Sequence, residues 1–292
     1  MGLSSRIWNG MRDRAINESS TRMNDYQRED LLILTKTYPE PSAKYRETTC
    51  VAALTRNGAM KRIFPVRFRY FSGEQQFKKW EWINVSTKKS NDDHRPESLK
   101  IDFDSVIERT GEKVDTKNDW AQRMPWLSPH IVSDFAALEE RRQTSGETLG
   151  IIRPHRVLDL TITAVKEIEW TEKEKSKLQS EGLFDTDEYK RPLLKKLPFT
   201  FHYRYECETP NGIQSLRHMI TDWEVGALFW NCYRSCGDNW ESPFRQKTEE
   251  ELPSKDLMFL MGTVHRFPDQ WLIVGLFYPP KPKPDMGQLT LL

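Results

Sequence analysis

Short apolar segments separated by turn residues dominate residues 31–107, and they constrain the fold more than any other feature of the chain. Asn57-Gly58 separates two of these segments, and this pair supplies the positive φ angles that a tight hairpin turn needs. The predicted strands are Leu31–Thr37, Thr48–Thr55, Met60–Phe71, Phe77–Ser86 and Leu99–Ile107. Five strands within so short a stretch predict a small barrel or sandwich.

Residues 116–278 mix helical and strand patterns. Ser128-Pro129 predicts a helix start, and capping boxes at Thr171–Glu174 and Thr221–Glu224 predict two more. We therefore expect an α+β protein with a β-rich barrel or sandwich, a helical connection and a C-terminal α+β domain. The predicted division is a polar arm (1–30), a β-rich domain (31–115), an α+β domain (116–278) and a Pro-rich spacer with a terminal peptide (279–292).

The charges of the chain are balanced, with 44 Lys and Arg against 43 Asp and Glu and a net charge of +1. This balance excludes a protein that binds nucleic acid by bulk charge, although a local basic patch is compatible with it. The 10 Trp, 14 Phe and 9 Tyr are more than a disordered chain contains, and they suffice for a sizeable core.

The sequence favours a cytoplasmic protein. Four cysteines are too few for a disulfide framework, and the N-terminal residues contain no apolar segment of a signal peptide. No run of apolar residues is long enough to predict a membrane span. We expect no membrane partner.

Cations and aromatic residues alternate along the predicted N-terminal strands. A barrel that presents both can follow a phosphate backbone and stack bases, so DNA or RNA is a candidate partner. On a strand, Arg67 and Arg69 would share one face. The alternative is a half-buried sheet with a solvated charged face. The candidate nucleic-acid contacts are Arg67, Arg69, Lys78, Lys79, Trp80 and Trp82.

The last five residues are Gln288-Leu289-Thr290-Leu291-Leu292. They resemble the peptide with which bacterial DNA polymerases and repair factors dock on the sliding clamp, which is typically Gln-Leu, Ser or Asp, then Leu-Phe. Thr290 stands in place of Ser or Asp, and Leu292 in place of Phe. The resemblance covers five residues, and it implies a bacterial sliding clamp as partner.

The chemistry of this peptide suits a docking segment. Gln288 would form a hydrogen bond at the rim of the clamp's cleft, while Leu289, Leu291 and Leu292 would fill apolar pockets at roughly 1.5–3 kcal/mol for each buried leucine. The prolines of residues 279–284 favour an extended spacer that would hold the peptide away from the folded domain. The alternative is a final strand that packs on the protein's own sheet.

The sequence also contains residue types found in zinc sites and in metal-dependent nucleases. Cys207, His218, Cys232 and Cys236 are zinc-ligand types, but their spacing is not that of a zinc site, so we predict no metal. A metal-dependent nuclease could use Asp159 or the pair Asp102 and Asp104, with Glu188-Tyr189-Lys190 as the second motif. No cofactor is indicated, and no catalytic residue can be assigned.

The leading hypothesis is an accessory protein of DNA metabolism, active in replication or repair and recruited to the sliding clamp by its tail. A mobile element or an antiviral defence locus is its hypothesised origin. The alternatives are a metal-dependent nuclease and a protein-interaction module without catalysis. The absence of a P-loop argues against a nucleotide-driven motor.

Overall fold

A computed structural model describes residues 25–179 and 192–281. The N-terminal strands are β1 (Gln27–Lys36), β2 (Glu40–Ser42), β3 (Arg46–Thr55), β4 (Met60–Val66), β5 (Glu81–Lys89), β6 (Ser98–Ile101) and β7 (Glu108–Lys113). The order β1-β3-β4-β6-β5 closes on itself because β1 pairs with both β3 and β5. Only β4 and β6 run parallel among these five strands. This closed five-stranded barrel has the architecture of the OB-fold.

Alternating residues of β1 and β3 point to opposite sides of the barrel wall. Leu31 and Ile33 lie in the barrel interior with Val51 and Ala53. Their neighbours Leu32, Leu34, Ala52 and Leu54 are equally buried, but they belong to a second cluster outside the barrel. The barrel wall is therefore apolar on both faces, and its outer face is covered by the rest of the chain.

A second sheet supplies that cover. Its strands are β8 (Ile131–Val132), β9 (Leu149–Ile152), β10 (Arg156–Ala164), β11 (Phe199–Thr209), β12 (Gly212–Ile220), β13 (Met258–Val264) and β14 (Phe267–Phe277), in the order β10-β11-β12-β14-β13-β9-β8. The helical elements are α1 (Lys117–Trp120), which is a single turn with left-handed backbones at its last three residues, and the α-helices α2 (Met124–Leu127), α3 (Phe135–Ser145), α4 (Glu172–Gln179), α5 (Trp223–Cys236) and α6 (Glu241–Arg245). Phe229 of α5 and Phe244 of α6 pack on the sheet in an aromatic core with Phe201.

The barrel and the second sheet with its helices, called the two units below, share one core. Ile151, Met258, Leu260 and Val274 of the second sheet join the outer residues of the barrel wall in a single buried cluster. The backbones approach closely at Gly275, where an added Cβ would lie 2.9 Å from the Cβ of Thr35. Only glycine permits that approach, so the crossing of β1 and β14 depends on the residue at this position.

One edge of the second sheet, β10, is contacted by side chains at Leu160. Glu249 accepts a hydrogen bond from the amide of Leu160 at 2.8 Å, and Arg245 donates to the carbonyl of the same residue at 2.9 Å. Arg245 and Glu249 also form an ion pair of 3.1 Å. Together they satisfy the two backbone groups of Leu160 with which another strand would otherwise pair.

The predicted α+β fold with an N-terminal barrel is confirmed, and the barrel replaces the alternative of a sandwich. The helix predicted from Ser128 is wrong. Residues Ser128–His130 form a single 3₁₀ turn, Ile131 and Val132 pair with β9, and the helix begins after Asp134. The Asp134 carboxylate caps it by accepting from the amide of Ala137 at 2.9 Å.

The capping box at Thr171 and Glu174 is confirmed by reciprocal hydrogen bonds. At the third predicted helix the cap is Asp222 rather than Thr221, because the Asp222 carboxylate accepts from the amide of Glu224 at 2.7 Å. The predicted strand Met60–Phe71 is too long, since β4 ends at Val66 and Phe68–Tyr70 forms a 3₁₀ turn.

Candidate functional site

The predicted stacking residues Trp80 and Trp82 are core residues. Their side chains are 2% and 3% exposed. The guanidinium of Arg56 lies over the Trp82 ring, 3.8 Å from the ring centroid. The Trp126 ring packs against Trp82 edge to face. An indole enclosed in this way offers no face to a base, so neither residue is the stacking platform that the sequence predicted.

The predicted cations do not form one patch. Arg67 follows the end of β4 and is buried with its guanidinium 4.7 Å from the Tyr70 ring. Arg69 forms an ion pair of 2.7 Å with Glu47. These two side chains therefore do not share the strand face that the sequence predicted, because the strand has already ended. Lys78 is exposed, whereas Lys79 reaches the boundary between the two units.

That boundary contains a cavity of about 510 Å³. Both units contribute to its wall, together with the segment that joins them. The lining residues are Lys79, Trp80, Thr116, Trp120, Arg123, Glu224, Lys255, Leu276, Tyr278 and Pro280. The volume lies within the range of roughly 300–1,000 Å³ typical of small-molecule sites.

Two of the aromatic residues in the wall have left-handed backbones. Trp80 has a φ of 65° and Trp120 a φ of 69°, and Asn118 and Asp119 precede Trp120 with φ of 51° and 53°. Side chains other than glycine rarely adopt this region, and bulky ones adopt it at a cost. Strain of this kind persists where surrounding contacts enforce it, and it concentrates at functional sites. The Trp80 and Trp120 rings meet edge to face at 5.7 Å.

The hydrogen bonds around Trp80 explain how that backbone is held. Its amide donates to the carbonyl of Ile33 at 2.6 Å, and its carbonyl accepts from the amide of Val114 at 2.9 Å. The carbonyl of Val114 in turn accepts from Nε of Arg123 at 2.9 Å. A chain of hydrogen bonds therefore runs from the barrel to the cation in the wall of the cavity.

Arg123 lies over both tryptophans, 4.7 Å from the centroid of Trp80 and 4.8 Å from that of Trp120. Its pKa is lowered by burial, yet a guanidinium stays charged at any physiological pH. Its terminal nitrogens form no hydrogen bond with a described residue, and neither does the ammonium of Lys255 or the hydroxyl of Tyr278. The cavity thus presents hydrogen-bond donors that bond to no acceptor in the part of the chain that the structure describes.

Lys79 is already occupied. Its ammonium lies 3.1 Å from the Glu224 carboxylate and 2.8 Å from the Leu276 carbonyl. Behind it, Asp222 is 2% exposed and accepts from the amide of Leu276 at 2.8 Å. Burial raises the pKa of Asp222 to about 6, against the opposing attraction of Lys79. Burial also lowers the pKa of nearby Lys36 to about 8.

The two sets of carboxylates considered for nuclease chemistry, Asp159 and the pair Asp102 and Asp104, lie in different parts of the fold. Asp159 is paired with Arg204, whose Nε lies 2.8 Å from it. Asp102 accepts from the amide of Asp104 at 3.1 Å, in the turn after β6. Residues 188–190 lie outside the described residues. Within residues 25–179 and 192–281, no three His, Cys, Asp or Glu side chains come together as a metal-binding group.

The cysteines and the histidine considered for zinc have separate environments. Cys207 is buried, Cys232 is half-buried, and Cys236 is exposed. His218 shares a hydrogen bond of 3.0 Å with the Tyr205 hydroxyl, and burial lowers its pKa to about 4. The histidine is therefore a neutral member of the core.

The predicted clamp-binding residues Gln288, Leu289, Leu291 and Leu292 lie outside the described residues. Their nearest described neighbour in sequence is Lys281, one residue after Pro280 in the cavity wall. Among described residues, no helix is both long and apolar enough to cross a membrane.

Two family models match the chain, and the boundary between them lies between residues 129 and 132. Residues 27–129 match a domain of unknown function, DUF8758, and residues 132–291 match a domain of unknown function, DUF8757. The chain belongs to the DUF8757 family. The cavity of this family member is lined from both matched segments, since Trp120 and Arg123 precede residue 132 and Lys255 and Tyr278 follow it.

No curated protein matches the chain. Among solved structures, a chain of a replication protein A heterotrimer bound to ssDNA aligns with 9% identity and a TM-score of 0.22, over 87% of this chain and 66% of that chain. At that TM-score the likeness carries no inference about fold or function.

The residues that sequence reasoning missed are Trp120, Arg123, Lys255 and Tyr278. Arg123 and Lys255 belong to polar stretches with no periodic pattern, and Tyr278 ends an apolar strand. Asn118-Asp119 was the available signal, because Asn and Asp are the residues other than glycine that best tolerate a left-handed backbone.

Proposed function

We propose that this protein is an accessory factor of DNA metabolism that holds nucleic acid at the cavity between its two units and is recruited to a bacterial sliding clamp by residues 288–292. The observation that carries the nucleic-acid part of the proposal is the pair of cations at the cavity, Arg123 and Lys255, beside the exposed ring of Tyr278.

This set of groups matches the two parts of a nucleotide. Guanidinium and ammonium groups recognise phosphate through charge-assisted hydrogen bonds, and Arg adds two parallel bonds in a fixed geometry. Aromatic rings stack on bases without regard to their sequence. The net charge of +1 fits this local arrangement, since a few cations at one cavity do not require a basic protein.

The barrel supports the proposal less directly. Strands of an OB-fold barrel bind oligonucleotides on their outer face. In this chain Ala52 and Leu54 of that face are buried against the second sheet. The cavity lies where this shared interface opens to solvent, so the nucleic acid would contact the border of the interface rather than the strand face.

Nucleic-acid binding tests the first half of the proposal. We expect the purified protein to bind a fluorescent single-stranded oligonucleotide, and the variant Arg123→Ala/Lys255→Ala to bind at least about tenfold more weakly, because charge-assisted hydrogen bonds are lost. Lys173→Ala is the matched control, since Lys173 is exposed on α4 and lies outside the cavity wall. Equal affinities for all three proteins would contradict the proposed site.

Clamp binding tests the second half. We expect the protein to bind a bacterial sliding clamp with micromolar affinity and Gln288→Ala/Leu291→Ala to lose that binding, because the polar anchor and one apolar side chain are removed. Asp285→Asn, outside the five-residue motif, is the control. If the wild-type protein shows no binding in a calorimetric titration, recruitment by the tail is wrong.

A further inference from the structure

We infer that the cavity accepts one unpaired nucleotide of a single strand, with its phosphate on Arg123 and Lys255 and its base on Tyr278. The inference rests on the proposed function and specifies its ligand. It follows from three properties of the cavity: the state of its cations, the exposure of its rings, and its size.

The cations Lys79 and Arg123 of the cavity wall differ in whether they already have partners. Lys79 pairs with Glu224 at 3.1 Å, so the charges of these two residues offset each other in the described part of the cavity wall. Arg123 keeps its terminal nitrogens unpaired among the described residues while its Nε is fixed on Val114. A guanidinium anchored at one nitrogen is pre-oriented, so little side-chain entropy is lost when a phosphate binds.

The aromatic rings of the cavity wall differ in their exposure to solvent. Trp80 and Trp120 are buried under Arg123, whereas Tyr278 is 36% exposed and lies 6.2 Å from the Trp120 centroid. Tyr278 is thus the ring of the wall on which a base can stack, and the tryptophans support the site from behind. The hydrogen bonds of Trp80 and Arg123 with Val114, together with the contact between the Trp80 and Trp120 rings, hold the rings and the guanidinium in place before any ligand arrives.

The cavity favours one form of nucleic acid. Its volume of about 510 Å³ accommodates one nucleotide. Bases within a duplex are stacked and paired, so a pocket reaches one only after it has left the stack. A single strand presents its bases without that cost, and we therefore expect duplex DNA to bind more weakly.

The test compares a short oligothymidylate with the same backbone carrying abasic sites and with a blunt duplex. We expect the wild-type protein to lose about tenfold in affinity when the bases are removed, since stacking on an aromatic residue is lost. Tyr278→Ala should bind oligothymidylate about tenfold more weakly than wild type but bind the abasic strand equally well. Tyr278→Phe, which keeps the ring, should retain most of the affinity.

Arg123→Lys probes the phosphate contact, because it keeps the charge but loses the paired geometry. We expect it to weaken the binding of the oligothymidylate and of the abasic strand by the same factor, about fivefold. Thermal melting of each variant shows whether it is folded. Arg123→Lys and Tyr278→Phe preserve the packing should the alanine variants fail to fold.

The outcomes separate the inference from the proposed function. Strand binding that responds to Arg123→Ala/Lys255→Ala but not to base removal or Tyr278→Ala would overturn the base contact and leave the proposed function in place. Duplex binding as tight as single-strand binding would also overturn the inference. Failure to bind any nucleic acid would reject both.

Discussion

The interface between the two units differs between its ends. At the end of β13 near Gly262, Arg62 and Glu97 are 3% and 6% exposed, and Arg62 donates to the Thr148 carbonyl at 3.0 Å. At the other end of β13, near Met258, Arg123 and Lys255 border an open cavity. Gly262 is four residues after Met258, which places these ends about 13 Å apart at the usual rise of a strand.

The two ends use the same kinds of side chain for different purposes. At the closed end, Arg62 and Glu97 lie 3.6 Å apart and both bond to Thr148, so cation and carboxylate offset each other's charge inside the protein, although Nε of Arg62 and Oε2 of Glu97 have no hydrogen-bond partner among the described residues. At the open end, Arg123 and Lys255 have N–H donors that bond to no acceptor among the described residues. Breaking a buried pair is costly because it leaves one charge uncompensated, whereas unpaired donors at an open cavity are accessible to a ligand. Under the proposal above, the open end is the one that contacts nucleic acid.

The largest expected effect is at the closed end. Arg62→Ala should lower the free energy of unfolding by about 3–5 kcal/mol, because it leaves the Glu97 carboxylate buried without its partner. Urea unfolding measures this. The double variant Arg62→Met/Glu97→Leu, which removes both charges, should lose less than Arg62→Ala. A cost below about 1 kcal/mol for Arg62→Ala would mean that the closed end contributes little to stability.

The cluster between the two ends should behave as core. Leu260 is fully buried there with residues of both units. Leu260→Ala should lower the free energy of unfolding by about 2–4 kcal/mol, because it leaves a cavity. If the shared core couples the units, fluorescence and circular dichroism should report one transition for this variant. Two separated transitions would show that the units unfold independently.

At the open end we expect a pH dependence. The pKa of Asp222 is about 6 in the folded protein against 3.8 for an ordinary aspartate, so the folded state binds its proton more tightly. The resulting stability is complete below pH 3.8 and is lost as the pH rises through about 6. Relative to Asp222→Asn, the free energy of unfolding of the wild type should fall over this interval by at most about 3 kcal/mol. A constant difference between the two proteins would rule this out.

The smallest effect concerns the left-handed turn beside the cavity. Asp119 is exposed and has a φ of 53°. Asp119→Val should lower the free energy of unfolding by about 1–2 kcal/mol, because a β-branched side chain is strained in this conformation. Asp119→Gly should be close to neutral. Equal stability of the two variants in thermal unfolding would show that the turn relaxes without cost.

The sequence was informative where a local pattern decides the structure. The presence of the barrel strands, the Asn57-Gly58 turn and the cap at Thr171 follow from side-chain alternation, turn chemistry and capping. Strand ends did not follow, since β5 begins at Glu81 rather than Phe77 and β6 ends at Ile101 rather than Ile107. The start of α3 did not follow, because Ser128-Pro129 also suits a single turn, and the pairing of Ile131 with β9 determined the outcome.

The candidate site was beyond the reach of local patterns. Trp80 and Trp82 looked like stacking residues because their neighbours are charged, but their burial depends on the second sheet. Arg123, Lys255 and Tyr278 are far apart in sequence and meet only through the packing of two units. The continuous apolar run Leu31–Leu34 was the one indication that the barrel wall would be covered on both faces.

The cover over the edge of β10 has a consequence for assembly. Arg245 and Glu249 occupy the backbone groups of Leu160 that a strand from a second molecule would use. An exposed strand edge can pair with a strand of a second copy, and high local concentration favours the growth of sheets from molecule to molecule. With the amide and the carbonyl of Leu160 already bonded to side chains, such pairing is disfavoured at the middle of β10.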